Sequence, residues 1–97
     1  MVILTNENYK EEVLDYKGKV IVDFYATWCG PCKMIKPKFE SMESEYKDFK
    51  FCEADVDACD EFSEKLNIIN VPFFVVFEDG KIITSGKFDR LIEFLSK

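Results

Sequence analysis

Histidine is absent from this chain of 97 residues, and proline (three), glycine (four) and tryptophan (one) are sparse. The missing histidines matter first. A structural zinc site usually takes four Cys or His ligands in closely spaced pairs, and only cysteine is available here. The cysteines do not form two such pairs: Cys29 and Cys32 are close, but Cys52 and Cys59 lie seven apart. No metal site is expected. Positive charge is also short, with 13 basic residues against 19 acidic and a net charge of −6. That balance argues against a nucleic-acid partner and for a soluble, non-sticky protein. Long apolar runs are missing too. The longest, Val71 to Phe77, is far too short to cross a bilayer, so no membrane partner is expected. The opening residues lack the charged, apolar and small-residue succession of a signal peptide. The expectation is a cytoplasmic protein; an organelle form whose transit peptide had been removed would read the same.

What is present fits one domain over residues 1–97, without room for a second core. Apolar residues make up 47% of the chain and ten residues are Phe, enough for a core without staples. The pattern alternates, with no repeats or low-complexity segments. Val2-Ile3-Leu4 predicts a short strand, and Thr5 or Asn6 caps a helix reaching about Tyr16, ended by Lys17-Gly18-Lys19. Val20 to Tyr25 is apolar enough to be a strand buried on both faces. Ile35, Phe39, Met42 and Tyr46 fall at helical spacing within a helix running from Met34 to Tyr46. Phe51 to Val56 predicts a strand and Cys59 to Leu66 a helix. Phe73 to Phe77 and Lys81 to Ser85 form a hairpin across Glu78-Asp79-Gly80, where Asp-Gly is a strong turn signal. Phe88, Leu91, Ile92 and Leu95 mark a closing helix. Strands joined through helices can run parallel, whereas the hairpin must be antiparallel. The reading is an α/β sandwich with a mixed five-stranded sheet flanked by about four helices. Periodicity alone does not give the strand order.

The chemistry concentrates at Trp28-Cys29-Gly30-Pro31-Cys32-Lys33. Two cysteines two residues apart, between an apolar strand and a helix, point to a redox dithiol more than to a structural disulfide or half of a zinc site. At a helix start the first sulfur meets unpaired backbone N–H groups and the positive end of the helix dipole. Both favour the thiolate, which is the form that attacks disulfides. The spacing lets the two sulfurs close a small ring across the first turn. Pro31 suits an early helical position, where its missing N–H has no intrahelical partner to lose. Asp23 is the second informative residue. A carboxylate in an apolar strand is costly unless it is paired or takes up a proton, and burial raises its pKa. It is then a plausible proton acceptor for Cys32; the plainer reading is a bulge or edge Asp that reaches solvent.

The run Asp23-Phe24-Tyr25-Ala26-Thr27-Trp28-Cys29-Gly30-Pro31-Cys32-Lys33-Met34 resembles the active-site segment of thioredoxins. The resemblance extends over nearly the whole chain through Pro37, Asp55-Val56-Asp57, Val71-Pro72, Asp79-Gly80 and Gly86. Glutaredoxins usually carry Pro-Tyr between the cysteines and protein disulfide isomerase domains Gly-His, so Gly30-Pro31 points to reducing character. The resemblance implies a thioredoxin fold with strand order 1-3-2-4-5. It implies a protein disulfide reductase in which Cys29 attacks, Cys32 resolves and buried Asp23 accepts the Cys32 proton, the two cysteines alternating between dithiol and disulfide. It implies a cis proline at Pro72 and a partner groove lined by Trp28, Gly30, Pro31, Val56, Val71, Pro72 and Gly86. It implies recharging by thioredoxin reductase, no bound cofactor, a monomer, and clients such as peroxiredoxins, methionine sulfoxide reductases and ribonucleotide reductase.

Several residues depart from the family pattern. Glu53 stands where many bacterial-type members have Lys, and if it is close to Asp23 it raises that carboxyl's pKa further. Phe73 replaces a usual Thr. Ser85 and Lys87 give the groove a more polar rim. Lys33 and Lys36 read as a solvated face. Cys52 reads as a small buried thiol, and Cys59, at a predicted helix start, as either a free cysteine or a regulatory, dimer-forming one. Two other functions fit the same dithiol. An isomerase or oxidase would be separated by its reduction potential. A binding module would keep its partners after Cys29 and Cys32 both become Ser.

Overall fold

A computed structural model describes residues 1–97. Five strands form one mixed sheet: β1 (Val2–Ile3), β2 (Lys19–Tyr25), β3 (Phe49–Asp55), β4 (Phe73–Glu78) and β5 (Lys81–Gly86). Their order is β1-β3-β2-β4-β5, as the resemblance implies. β1 and β2 run parallel to β3, while β4 is antiparallel to both β2 and β5. Three α-helices, α1 (Gly30–Met42), α2 (Asp60–Lys65) and α3 (Phe88–Leu95), and one π-helical stretch, Lys10–Leu14, cover the sheet. No helix is long and apolar enough to cross a membrane.

β2 is the central strand, and its alternation builds two cores. Val20, Val22 and Phe24 face one side with Cys52, Ala54, Val75 and Phe77, where Tyr9, Val13 and Phe62 cover them. Ile21 faces the other side with Phe51, Phe74 and Val76, under Phe39 and Met42 of α1 and Leu91 of α3. Phe39 sits at the centre of that second core, its ring 5.0 Å from Phe51 and 5.3 Å from Phe74. Aromatic clusters at such distances add to the area that they bury. Asp23 continues the Ile21 face toward the carboxyl end of β2, so it lies on the side covered by α1.

The first helix is shorter than its apolar pattern predicts. Thr5 does open it, its hydroxyl accepting from the N–H groups of Glu7 and Asn8. Regular helix then gives way to a π-turn, in which Asp15 N–H donates to the Lys10 carbonyl at 2.8 Å. Two tethers favour that widened turn. Lys50 Nζ donates to both the Glu12 carbonyl and its carboxylate, and the Tyr9 hydroxyl donates to Glu61 at 2.6 Å. The other boundaries move by a few residues. β3 begins at Phe49, two residues early, and Val56 falls just outside it. α1 begins at Gly30, runs unbroken through Pro37 and ends at Met42, before Tyr46.

The Asp79-Gly80 signal is borne out as a two-residue turn with positive φ at both positions, 53° and 81°. These values match the type I′ turn that suits a twisted hairpin. Asp79 also locks this turn to the loop before β2, its Oδ1 accepting from Gly18 N–H at 2.9 Å. A Cβ on Gly80 would fall on the Leu14 carbonyl oxygen. Gly80→Ala therefore meets both a left-handed backbone penalty and a backbone clash. The expected loss is about 2 kcal/mol or more. It is read in a urea melt as a lower midpoint at unchanged slope.

Candidate active site

The dithiol sits where β2 ends and α1 begins. Cys29 is the N-cap of α1 with extended backbone (φ −91°, ψ 111°), and Gly30 and Pro31 are the first helical residues. Pro31 thus occupies a position that needs no N–H donor. Cys29 and Cys32 are joined as a disulfide, with Cα atoms 5.3 Å apart. Cys32 N–H points at Cys29 Sγ, 3.2 Å away. The Val71 carbonyl oxygen lies 3.8 Å from the same sulfur. A thiolate on Cys29 would receive a charge-assisted hydrogen bond at the positive end of the helix.

An attacking thiol at a helix start is expected to be more exposed than the resolving thiol one turn in. Both are instead only 5% exposed. Ala26 packs with them, and Tyr25, Val56 and Val71 close around the group. Position at the N-cap, and not exposure, is what distinguishes Cys29. Trp28 is 70% exposed, so it does not pack into the core edge, and its indole N–H donates to Asp57 Oδ2 at 3.1 Å. No local signal marks Asp57 as the anchor of Trp28, because the two lie 29 residues apart in sequence.

Val71-Pro72 is cis. Pro31, Val71 and Pro72 line one groove of about 670 Å³ together with Phe73 and Lys87. The departures Phe73 and Lys87 therefore do sit at this groove. Trp28, Gly30 and Val56 do not line it. Val56 packs against the dithiol, its N–H held by the Tyr25 carbonyl at 2.8 Å. A Cβ on Gly30 would meet nothing within 4 Å, so nothing within the fold requires glycine there. Gly86 lies apart as well. Its φ of +157° and the Arg90 stem, 2.8 Å from where a Cβ would stand, explain a glycine without reference to a partner.

Asp23 lies on a central strand and is 3% exposed, with neither bulge nor edge to give it solvent. Its Oδ1 is buried without a hydrogen-bond partner. Glu53 is its register neighbour on β3. Burial, then the Glu53 charge, push the Asp23 pKa up to about 7, while Lys36 pulls against them. Lys36 keeps the solvent exposure expected of it, but its Nζ also reaches to 3.5 Å from Glu53 Oε2. The signal that would have found it is its spacing of four from Cys32, which places both on one face of α1.

Cys52 and Cys59 are free thiols with no exposure. Burial pushes Cys52 up to about 12 and Cys59 up to about 11. A regulatory or dimer-forming Cys59 does not fit a thiol that is both buried and protonated. Cys52→Ala/Cys59→Ala should keep reductase turnover within about twofold of the parent, since neither sulfur adjoins the dithiol. In the native parent both thiols should resist iodoacetamide, with labelling followed by mass spectrometry. A large loss of turnover under reducing conditions would reveal a second redox centre. No group of three or more His, Cys, Asp or Glu side chains is placed to hold a metal ion.

An α/β sheet with a dithiol at the N-terminus of a helix, facing a cis proline, defines a thiol–disulfide oxidoreductase of thioredoxin fold. Comparison with known proteins agrees. The thioredoxin family model matches residues 1–97. A thioredoxin of Mycoplasmoides gallisepticum is 39% identical over 97% of this chain and 89% of its own length. Human thioredoxin is 45% identical over 73% of this chain and 70% of its own length. The structure of Fasciola hepatica thioredoxin superposes with a TM-score of 0.90 at 33% identity, covering 99% of this chain and 97% of that one. The chain belongs to the thioredoxin family. Its activity is that of a thioredoxin-type protein disulfide reductase, working on disulfide-containing proteins through Cys29 and Cys32.

Proposed function

We propose that Cys29 is the attacking thiol, Cys32 the resolving thiol and Asp23 the acceptor of the Cys32 proton. In the first step the Cys29 thiolate attacks one sulfur of a client disulfide. A Cys29–client bond forms, the client S–S bond breaks, and the other client sulfur leaves as a thiolate. In the second step Cys32 gives its proton to Asp23 and attacks Cys29 Sγ. The Cys29–Cys32 bond forms, the mixed disulfide breaks, and the client leaves fully reduced. The dithiol has lost two electrons and the client has gained them. A flavin- and NADPH-dependent thioredoxin reductase then returns the Cys29–Cys32 disulfide to the dithiol.

The observation that carries this reading is the Cys32 N–H aimed at Cys29 Sγ at the head of α1. It singles out one sulfur of the pair for thiolate chemistry. The extended client segment lies along Val71 and Pro72 and beside Trp28, Gly30 and Pro31, with Val56 and Gly86 at the margins. The open space above Gly30 suits a close approach. Clients of this class are peroxiredoxins, methionine sulfoxide reductases and ribonucleotide reductase. The working unit is residues 1–97 as a cytoplasmic monomer.

Insulin reduction driven by NADPH and a thioredoxin reductase tests the proposal. NADPH consumption that requires the chain and saturates with insulin is the expected result. Activity only with chemical reductant would remove the reductase from the cycle. A dithiol potential near that of protein disulfide isomerase, about −180 mV, would favour an isomerase or oxidase.

A further inference from the structure

Behind the dithiol, on the side of the sheet covered by α1, four acidic groups line two neighbouring strands. Asp23 and Tyr25 of β2 are in register with Glu53 and Asp55 of β3. β4 sets only the apolar Phe74 beside Asp23. α1 brings one cation, Lys36, one turn beyond the Cys32 sulfur. Lys36 Nζ lies 3.5 Å from Glu53 Oε2 and 5.4 Å from the centre of the Tyr25 ring. The Lys36 side chain keeps 45% of its surface exposed and that of Glu53 only 10%, so the lysine covers the glutamate from the solvent side. Asp23 Oδ1 has no hydrogen-bond donor of its own. Its charge is therefore governed first by burial, and then through space by two neighbours of opposite sign. Parallel strands stand about 4.8 Å apart, a range at which the charge of Glu53 changes the proton equilibrium of a neighbouring carboxyl about tenfold.

We infer that Lys36 and Glu53 act as positioning residues for the resolving step. As an ion pair they fix the charge that Asp23 meets, and so the pH range in which Asp23 can take the Cys32 proton. The inference rests on Asp23 being that acceptor. Glu53 opposes ionisation of Asp23 and Lys36 favours it, the two holding the carboxyl between extremes. The Tyr25 hydroxyl is pushed up by burial and then by Glu53, Asp55 and Asp23, as expected where negative charge outnumbers positive. The step itself is unchanged: the Cys32 proton goes to Asp23, the Cys29–Cys32 bond forms, and the client thiolate departs with the electrons of the broken mixed disulfide.

The test follows decay of a preformed Cys29–glutathione mixed disulfide from pH 5.5 to 9.5. It is run on the full chain and on Lys36→Met, Glu53→Gln, Lys36→Arg and Asp23→Asn. At pH 6, Lys36→Met should slow decay by about threefold to tenfold and Glu53→Gln should speed it by a similar factor. All should converge near pH 9. Lys36→Arg keeps the charge and should keep the parent profile. In the Asp23→Asn background neither substitution should move the profile. The Asp23 carboxyl, followed by carbon NMR, should titrate higher in Lys36→Met and lower in Glu53→Gln. Profiles that superpose on the parent, or that move in one direction for both variants, overturn the inference while leaving Asp23 as the acceptor. Shifts that persist in Asp23→Asn overturn it as well, because the pair would then act on Cys32 directly. An Asp23→Asn profile identical to the parent removes the role of Asp23, and the inference with it.

Discussion

Cys29→Ser should abolish disulfide reduction, and Cys32→Ser should stop the cycle halfway with the client still attached to Cys29. In Cys29→Ser no sulfur remains at the N-cap of α1, where the Cys32 N–H is directed. Turnover should fall on the order of 10³-fold or more, the scale on which removal of a nucleophile acts. In Cys32→Ser the attacking thiol is intact and the same backbone N–H still faces it. Serine cannot displace the client, so the mixed disulfide accumulates. Pull-downs resolved on non-reducing gels distinguish the two. Covalent client bands should appear with Cys32→Ser, vanish on adding dithiothreitol, and be absent with Cys29→Ser. Because both cysteines are 5% exposed, equal access would predict equal trapping. Equal trapping would therefore mean that N-cap position does not select the attacker, and would reverse or abolish the assignment.

Asp23→Asn should make the fold more stable at neutral and alkaline pH, and by a large amount. The Asp23 carboxyl has a pKa near 3.8 in an ordinary environment and about 7 in the fold, chiefly because it is buried. Its folded pKa lies above its unfolded one. Below about pH 3.8 both states hold the proton and the residue has no pH-dependent cost. Between about pH 3.8 and 7 the unfolded chain has released the proton while the fold retains it, so stability falls as pH rises. Above about pH 7 both states are ionised and the loss is complete. At roughly 1.36 kcal/mol per pH unit the full loss is on the order of 4 kcal/mol. Asparagine does not titrate, so Asp23→Asn should exceed the parent by about 2–4 kcal/mol at pH 8 and approach it near pH 4. Denaturant melts at the two pH values read this directly. The same variant should slow decay of the mixed disulfide more than its formation, since the lost group serves Cys32. A pH-independent difference would mean that packing, and not the buried charge, separates asparagine from aspartate.

The parts legible in the sequence are those decided within a few residues of chain. The placement of Cys29, Pro31 and Cys32 at a helix start follows from their spacing and from which backbone N–H groups a first turn leaves free. The type I′ turn follows from Asp79-Gly80, because few residues accept positive φ. Alternation along β2 placed Asp23 among buried neighbours. Boundaries were less legible: the π-turn at Lys10–Leu14 answers to Lys50 and Glu61, residues distant in sequence. Strand order came from resemblance to a family, since a period of two says which face a residue takes but not which strand lies beside it. Exposure of the two sulfurs, the anchoring of Trp28 by Asp57 and the insulation of Cys59 depend on side chains brought in from other elements. The Lys36–Glu53 pair is the clearest case. Lys36 alone reads as an ordinary surface charge, and Glu53 as a charge that matters only if it lies close to Asp23. Parallel register sets Glu53 against Asp23, and the packing of α1 across β2 and β3 sets Lys36 over both. Electrostatic energy depends on distance through the fold and not along the chain, so the sequence by itself determined which groups can do the chemistry, and only the tertiary structure decided which charges control them.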